Sequence, residues 1–270
     1  MRVAFIGGGK MGEAIIRSLL DKKICQPSDI SVSDVSESRL QYLKSEYGVT
    51  IMTRNIESIN GREVVVLAVK PQNINQVLDE LKGHLKVGQL VVSIAAGVKI
   101  NTIQERTMHR NIVRAMPNTP AQIGLGISGW TATKEVSGEQ KQWAKLILGA
   151  MGKEIYFDKE DYLDMVTAIS GSGPAYLYLF AELLIDGAVD LGLARNEAEN
   201  LVKQTLLGAA QLMNTSNKTP AELRRDVTSK GGTTERAITV FEKTDLAGII
   251  TEAVKAAYQR AKELGEVESN

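Results

Sequence analysis

Four apolar residues, Val3-Ala4-Phe5-Ile6, run directly into Gly7-Gly8-Gly9-Lys10-Met11-Gly12 and then into an amphipathic segment. This order predicts a strand, a tight glycine turn and a helix. Gly7 permits the turn, Gly9 lets a pyrophosphate approach the backbone at the positive helix end, and Gly12 lets the helix pack close to the strand. A GxGxxG string is weak evidence alone. Placed between a strand and a helix it becomes a dinucleotide-binding signal, with Lys10 and Met11 opening the helix beside the ligand.

The rest of the first half obeys the same rule. Short apolar runs at 3–6, 30–33, 64–69 and 90–94, and further ones at 112–115, 126–130 and 154–157, read as strands. Between them Leu40, Leu43 and Tyr47, then Ile74, Val77, Leu78 and Leu81, recur at helical spacing. Such alternation predicts a mostly parallel, doubly wound sheet with right-handed crossovers, an α/β domain of Rossmann type over residues 1–158. Beyond it the strand signal stops. Segments 174–191 and 196–213, and a long stripe from Leu246 through Ile250, Val254 and Tyr258 to Leu264, read as helices, so 159–270 is expected to be all-α. Residues 176–193 are apolar on more than one face. Such a helix must be covered on several sides, by a second copy of the chain or as the centre of a monomeric bundle; a dimerisation domain is the expectation.

Composition narrows the partners. The 32 basic and 32 acidic residues cancel, which recommends neither nucleic acid nor an anionic membrane, and a small metabolite fits better. Cys25 is the only cysteine, so an intramolecular disulfide is excluded and a reducing cytoplasm is expected. The run at 3–6 is too short for a signal peptide, and no stretch approaches ~18 uninterrupted apolar residues, so no membrane span is expected. His84 and His109 have polar neighbours and no metal-ligand spacing. Both are expected to be solvated surface residues, and no metal is expected.

Three further segments carry candidate chemistry. Asp34, in Ser33-Asp34-Val35-Ser36-Glu37-Ser38-Arg39, follows the second strand. Its carboxylate suits the ribose 2′-hydroxyl of NAD, whereas the serines and Arg39 suit a 2′-phosphate, so NADH and NADPH both stay open. Ala68-Val69-Lys70-Pro71 ends the fourth strand, where ligands of open α/β sheets sit, and is placed near the nicotinamide or its ribose; an ordinary strand-ending turn is the alternative. Far downstream, Thr228-Ser229-Lys230-Gly231-Gly232-Thr233-Thr234 interrupts helical sequence with two glycines flanked by hydroxyls, a pattern that frees N–H and OH groups to grip an anion. One loop for a pyrophosphate and one for a small carboxylate describe a dehydrogenase or reductase better than a binding module.

Six motifs in order, Gly7-x-Gly9-x-Met11-Gly12, Ala68-Val69-Lys70-Pro71, Ala95-Ala96-Gly97-Val98, Arg114-Ala115-Met116-Pro117-Asn118-Thr119-Pro120, Ser170-Gly171-Ser172-Gly173-Pro174-Ala175-Tyr176 and Ser229-Lys230-Gly231-Gly232-Thr233-Thr234, resemble those of pyrroline-5-carboxylate reductase. The resemblance runs from Arg2 to about Lys262. It implies NAD(P)H-dependent hydride transfer to the C=N bond of Δ1-pyrroline-5-carboxylate, giving L-proline, the last step of proline synthesis. A protonated cyclic imine accepts hydride without a metal, so the chemistry asks chiefly for orientation, and the scarcity of histidine fits.

In the resemblance Thr234 orients the imine nitrogen or relays a proton, and the backbone of Gly231, Gly232 and Thr233, with Ser229, holds the carboxylate. Thr234 also reads as an N-cap of a helix beginning near Glu235, a role compatible with the first. Asn118 is placed against the carboxamide, Ala95 beside the cofactor and Asn55 on its adenosine side. The segment 170–174 is either a nicotinamide contact or an interdomain hinge with Pro174 at the start of the helix. Two positions depart from the family pattern: Lys230 stands where many relatives carry proline, and Asp34 stands where many carry a neutral or hydroxyl residue, which weakens the usual leaning towards NADPH. The family implies a homodimer, with each site at the junction of one chain's nucleotide domain and the other's helices; further stacking of dimers stays open.

Two other classes compete. A β-hydroxyacid dehydrogenase shares the plan but needs a lysine early in the helical domain, and there is none between Ser170 and Gly192. A non-catalytic nucleotide sensor would have little use for Thr233-Thr234 and their glycines. A paralogue acting on another cyclic imine differs by as little as one methylene, worth ~1–3 kcal/mol in discrimination.

Overall fold

The computed structural model describes residues 1–267. Its chain begins as β1 (Val3–Ile6), α1 (Lys10–Asp21), β2 (Ile30–Ser33), α2 (Glu37–Tyr47) and β3 (Thr50–Met52). It continues through α3 (Asn55–Ser58), β4 (Val64–Leu67), α4 (Pro71–Leu81), β5 (Leu90–Ser93), α5 (Ile100–Thr107) and β6 (Ile112–Met116). Then come β7 (Gly126–Ala132), α6 (Gly138–Ala150), β8 (Gly152–Tyr156) and α7 (Tyr162–Val166).

The strands form one eight-stranded sheet in the order β3-β2-β1-β4-β5-β6-β7-β8. All pairs are parallel except β6 with β7. The exception has a local cause. The link 117–125 contains only a 3-10 turn, Thr119–Ile123, closed by Gly124, and a parallel return needs about a dozen residues or more. With β1, β2, β4 and β5 buried at every position, both faces of the sheet are covered, as their unbroken apolar runs require.

Side chains of β1 alternate between two core layers. Val3 and Phe5 join Ile15, Leu19, Leu43 and Trp130, while Ala4 and Ile6 join Ile74, Leu78 and Ile103 on the other face. The stripe Ile74, Val77, Leu78 and Leu81 is the buried face of α4, as its spacing predicts. Cys25 is buried beside the first layer, and its thiol donates to the Met1 carbonyl at 3.5 Å. His109 departs from expectation: it is buried, and its Nε2–H donates to the Gln89 carbonyl at 2.8 Å. Burial lowers its pKa, against a smaller opposing effect of that bond.

After α7 the helix continues through a π turn, Thr167–Gly171. The remaining elements are α8 (Gly173–Asp190), α9 (Arg195–Thr215), α10 (Pro220–Asp226), α11 (Thr233–Lys243) and α12 (Leu246–Val267). Two compact units result: Met1–Ser172 with the chain from Ala256 onwards, and Gly173–Lys255. By compactness α7 and the π turn group with the sheet. Residues 268–270 of the expected second domain lie outside the described residues.

In the second unit α8 packs against α9, which buries Ala198 and Val202. No residue of α8 is itself buried, and Leu177 is 61% and Tyr178 65% exposed. A monomeric bundle with α8 at its centre is thereby ruled out. The helical run Tyr162–Asp190 is long and apolar enough, by length and composition alone, to cross a membrane, although Asp164, Glu182 and Asp186 interrupt its apolar residues.

Candidate active site

β1 ends at Ile6, and Gly7 turns the chain with φ +99°; a Cβ there would lie 2.7 Å from the Ala68 carbonyl oxygen. A Cβ on Gly12 would lie 2.6 Å from the Gly7 oxygen, so α1 can sit this close to the turn only with glycine there. Gly9 faces open space. It is the N-cap of α1 and no side chain caps that end, so the first-turn N–H groups point outwards unpaired, as an incoming pyrophosphate requires.

Two adjoining clefts lie at this edge. The larger, about 560 Å³, is lined by Gly7, Gly9, Ser33, Asp34, Asn55, Ala68, Val69 and Lys70 among the expected residues. The smaller, about 250 Å³, is lined by Met11, Ala68, Val69, Ile94, Met116, Pro117, Asn118, Thr119 and Gly171. Ala68 and Val69 wall both. Four expected cofactor residues lie outside these linings: Lys10 is exposed on the first turn of α1, Gly12 is buried beneath the loop, Pro71 starts α4, and Ala95 is buried in the second core layer.

The larger cleft is wired by hydrogen bonds. Gly8 N–H donates to Asp34 Oδ2 at 2.7 Å and Ser36 N–H to Asp34 Oδ1 at 2.9 Å, so the carboxylate is held at the end of β2 by two backbone donors. Ser33 Oγ–H donates to Asn55 Oδ1 at 2.8 Å, and Asn55 Nδ2–H to Glu80 Oε2 at 2.7 Å. Arg39 donates through Nε to the Gly8 carbonyl at 2.5 Å and through Nη2 to Glu13, while Tyr42 and Tyr47 donate to Glu13 Oε1 at 3.0 and 2.8 Å. Burial alone would raise the Glu13 carboxyl, but the bonds from Arg39, Tyr47 and Tyr42 outweigh it and hold the group below its ordinary value. Burial and the Glu13 carboxylate push the Tyr47 hydroxyl well up. The sequence does not single out Glu13 or Glu80, whose partners come from other elements.

The smaller cleft is mostly apolar. Asn118 accepts the Ile127 N–H on Oδ1 at 3.0 Å, which leaves its NH₂ to donate to a ligand. Gly171 belongs to the π turn, and a Cβ on it would meet Met116 Cε at 2.7 Å. Of the serine-glycine segment Gly171 alone lines this cleft, and Pro174 is the second residue of α8 rather than the first. π turns recur at functional sites because they offset a helix locally.

The second glycine loop lies in the other compact unit. Gly231 has φ +75°, its N–H donates to Glu235 Oε2 at 2.8 Å, and Gly232 N–H donates to the Ser229 carbonyl at 3.0 Å. Gly232 is the N-cap of α11, so Thr234 sits within the first turn and is not the cap. The first-turn N–H groups of Thr233 and Thr234 have no intrahelical acceptor, and Thr234 is half-buried. Among the described residues no cluster of three His, Cys, Asp or Glu side chains is arranged to hold a metal.

Known proteins divide the chain in a similar way. Residues 160–264 match the family "Pyrroline-5-carboxylate reductase dimerisation", beginning one residue after the start expected for the helical domain, and residues 2–97 match "NADP oxidoreductase coenzyme F420-dependent". A pyrroline-5-carboxylate reductase of Synechocystis is 42% identical, covering 98% of this chain and 99% of its own. The structure of the Coxiella burnetii enzyme superposes with a TM-score of 0.91 at 40% identity, over 97% of this chain and 98% of that one. The Plasmodium falciparum enzyme, crystallised with NADP bound, gives 0.87 at 31% identity over 98% of both. With a nucleotide loop, an apolar pocket beside it and relatives matching end to end, the chain belongs to the pyrroline-5-carboxylate reductase family of NAD(P)H-dependent oxidoreductases.

Proposed function

We propose that the two adjoining clefts hold NAD(P)H, nicotinamide in the apolar one, and that loop 229–234 holds Δ1-pyrroline-5-carboxylate while its C=N bond is reduced to L-proline. The observation that carries this reading is the shared wall of Ala68 and Val69, which lets one elongated ligand reach from Asp34 to Asn118. The residues present fit a dinucleotide: Gly9 leaves open space at the unpaired N-terminus of α1, where a pyrophosphate would sit. The bound cofactor supplies the hydride.

The chain supplies position. First-turn N–H groups of α1 hold the pyrophosphate, and the Asn118 NH₂ donates to the carboxamide. Ile94, Met116 and Pro117 keep water from the reacting face. The free N–H groups of Thr233 and Thr234 grip the substrate carboxylate; Gly231 joins them once Glu235 releases its N–H, with Ser229 and Gly232 shaping the turn. The Thr234 hydroxyl orients the imine nitrogen or relays a proton to it. Two copies associate through the region 160–264. A buried free Cys25 suits a reducing cytoplasm.

The test is the rate of cofactor oxidation with Δ1-pyrroline-5-carboxylate, using NADH and NADPH in parallel. Thr234→Ala is expected to lower kcat about 10²-fold, with Thr234→Ser restoring most of it. Wild-type kcat in the alanine variant would remove that hydroxyl from the reaction. Gly232→Val, whose Cβ would press on Ser229 Oγ at 2.5 Å, is expected to raise KM for the imine. Folded protein that binds dinucleotide yet turns over neither mixture would point to a sensor or another cyclic imine.

A further inference from the structure

The adenosine end of the larger cleft combines an acid that is fixed with a base that is occupied. Asp34 accepts Gly8 N–H and Ser36 N–H, one on each oxygen, and each oxygen keeps a lone pair for a ribose hydroxyl. Arg39 is the guanidinium in the same lining, the natural partner for a phosphate. It is already engaged. Its Nε donates to the Gly8 carbonyl, its Nη2 is paired with Glu13, and its plane lies 4.9 Å from the Tyr42 ring centroid.

Glu13 is itself fixed by the Tyr42 and Tyr47 hydroxyls, so α1 and α2 together hold the carboxylate that neutralises Arg39. The pair is largely withdrawn from water, at 25% and 21% side-chain exposure. Further along the cleft stands a second acid, Glu80, tied to Asn55. Of the nearby cations, Arg54 is paired with Glu57, and Lys70 follows β4. A 2′-phosphate placed here would meet the Asp34 carboxylate and would find the charge of Arg39 already balanced by Glu13.

We infer that the cleft discriminates at the adenosine ribose and takes NADH, whose 2′-hydroxyl Asp34 accepts, in preference to NADPH, with Glu13 withholding Arg39 from a 2′-phosphate. The inference rests on the reading of this cleft as the cofactor site. Asp34 acts by contact with the ribose; Glu13 is a positioning residue that acts through Arg39.

Dissociation constants for NADH and NADPH, measured by calorimetry on the full-length protein without substrate, test it separately from turnover. AMP and adenosine 2′,5′-bisphosphate serve as fragments that carry only the adenosine end. Wild type is expected to bind NADH at least about tenfold more tightly than NADPH, and AMP more tightly than the bisphosphate, since like charges brought together at an interface are strongly disfavoured. Asp34→Ser should shrink or reverse that ratio. Glu13→Gln should tighten NADPH more than NADH, with a steeper salt dependence for NADPH as Arg39 becomes available. Equal or tighter binding of NADPH by wild type would overturn the inference, a result that needs no variant to fold. An unchanged ratio in Asp34→Ser would overturn the role of Asp34. Binding of neither dinucleotide would instead refute the cofactor site itself, and this inference with it.

Discussion

Arg114, at 3% exposure near the end of β6, donates from Nη2 to Asp164 at 3.2 Å, fifty positions later in the chain. Its Nη1 reaches Glu160 at 2.8 Å, and the same Glu160 oxygen accepts the Ile100 N–H. Arg114 and Glu160 together thus tie β6 to α7 and to the start of α5. Removing the guanidinium strands a nearly buried carboxylate. Arg114→Met is expected to cost ~3–5 kcal/mol in urea denaturation, and Asp164→Asn less, because the amide still accepts a hydrogen bond. Stability within 1 kcal/mol of wild type, as an approximate margin, would show the pair to be dispensable.

Two glycines of the nucleotide loop should fail in different ways. Gly7→Ala meets the Ala68 carbonyl and a left-handed φ, so it should lower both the melting temperature and dinucleotide affinity. Gly9→Ala meets nothing in the protein and adopts an ordinary φ of −63°. It should melt as wild type does and yet bind NADH weakly, because its methyl occupies the space kept for the pyrophosphate. Equal losses of stability in the two variants, by circular dichroism, would contradict this division.

His109 gives a pH signature. Burial depresses its folded pKa below the ordinary 6.5, so the unfolded chain takes up a proton more readily. Stability from the neutral ring is therefore complete above about pH 6.5 and is lost as pH falls towards the folded value. The carboxylates Glu13 and Glu63, held below 4.5, titrate lower and leave the interval between about pH 6.5 and 5 to the histidine. Urea midpoints of wild type should fall across that interval. Those of His109→Gln should be flatter, and an equal slope would assign the proton uptake elsewhere.

The exposed apolar face of α8 predicts the consequence of charge. Leu177→Arg with Leu179→Arg should shift the dimer to monomer in sedimentation at micromolar concentration, since each places a cation where a partner helix would have to bury it. Dimer mass unchanged in that double variant would place the subunit interface off α8.

Residues governed by local rules were legible. The loop 7–12, seven of the eight strands and the stripe on α4 each follow from short-range pattern and fall where periodicity placed them within a residue or two, whereas the three-residue β3 has no apolar run to announce it. Residues whose role depends on meeting a distant segment were not. Glu13 lies on the exposed side of a helix by its spacing, and only the packing of α1 on α2 brings Arg39, Tyr42 and Tyr47 to it. His109 has Met108 and Arg110 as neighbours, which suggests water, but the turn before β6 folds it onto Gln89. The helical pattern of α7 announces a helix, whereas the ion pair between its Asp164 and Arg114 of β6 joins segments fifty positions apart.

Cys25 has a practical consequence. It is the sole cysteine, lies buried against Met1, and burial raises its pKa, with nearby charges contributing smaller effects in both directions. A thiol that is both protonated and shielded reacts slowly with maleimides. The native chain is therefore a quiet background for site-directed labelling. A cysteine introduced on the open rim of the nucleotide cleft, at Val35 for instance, would carry a fluorophore that reports cofactor arrival in real time, with no need to mutate Cys25 first.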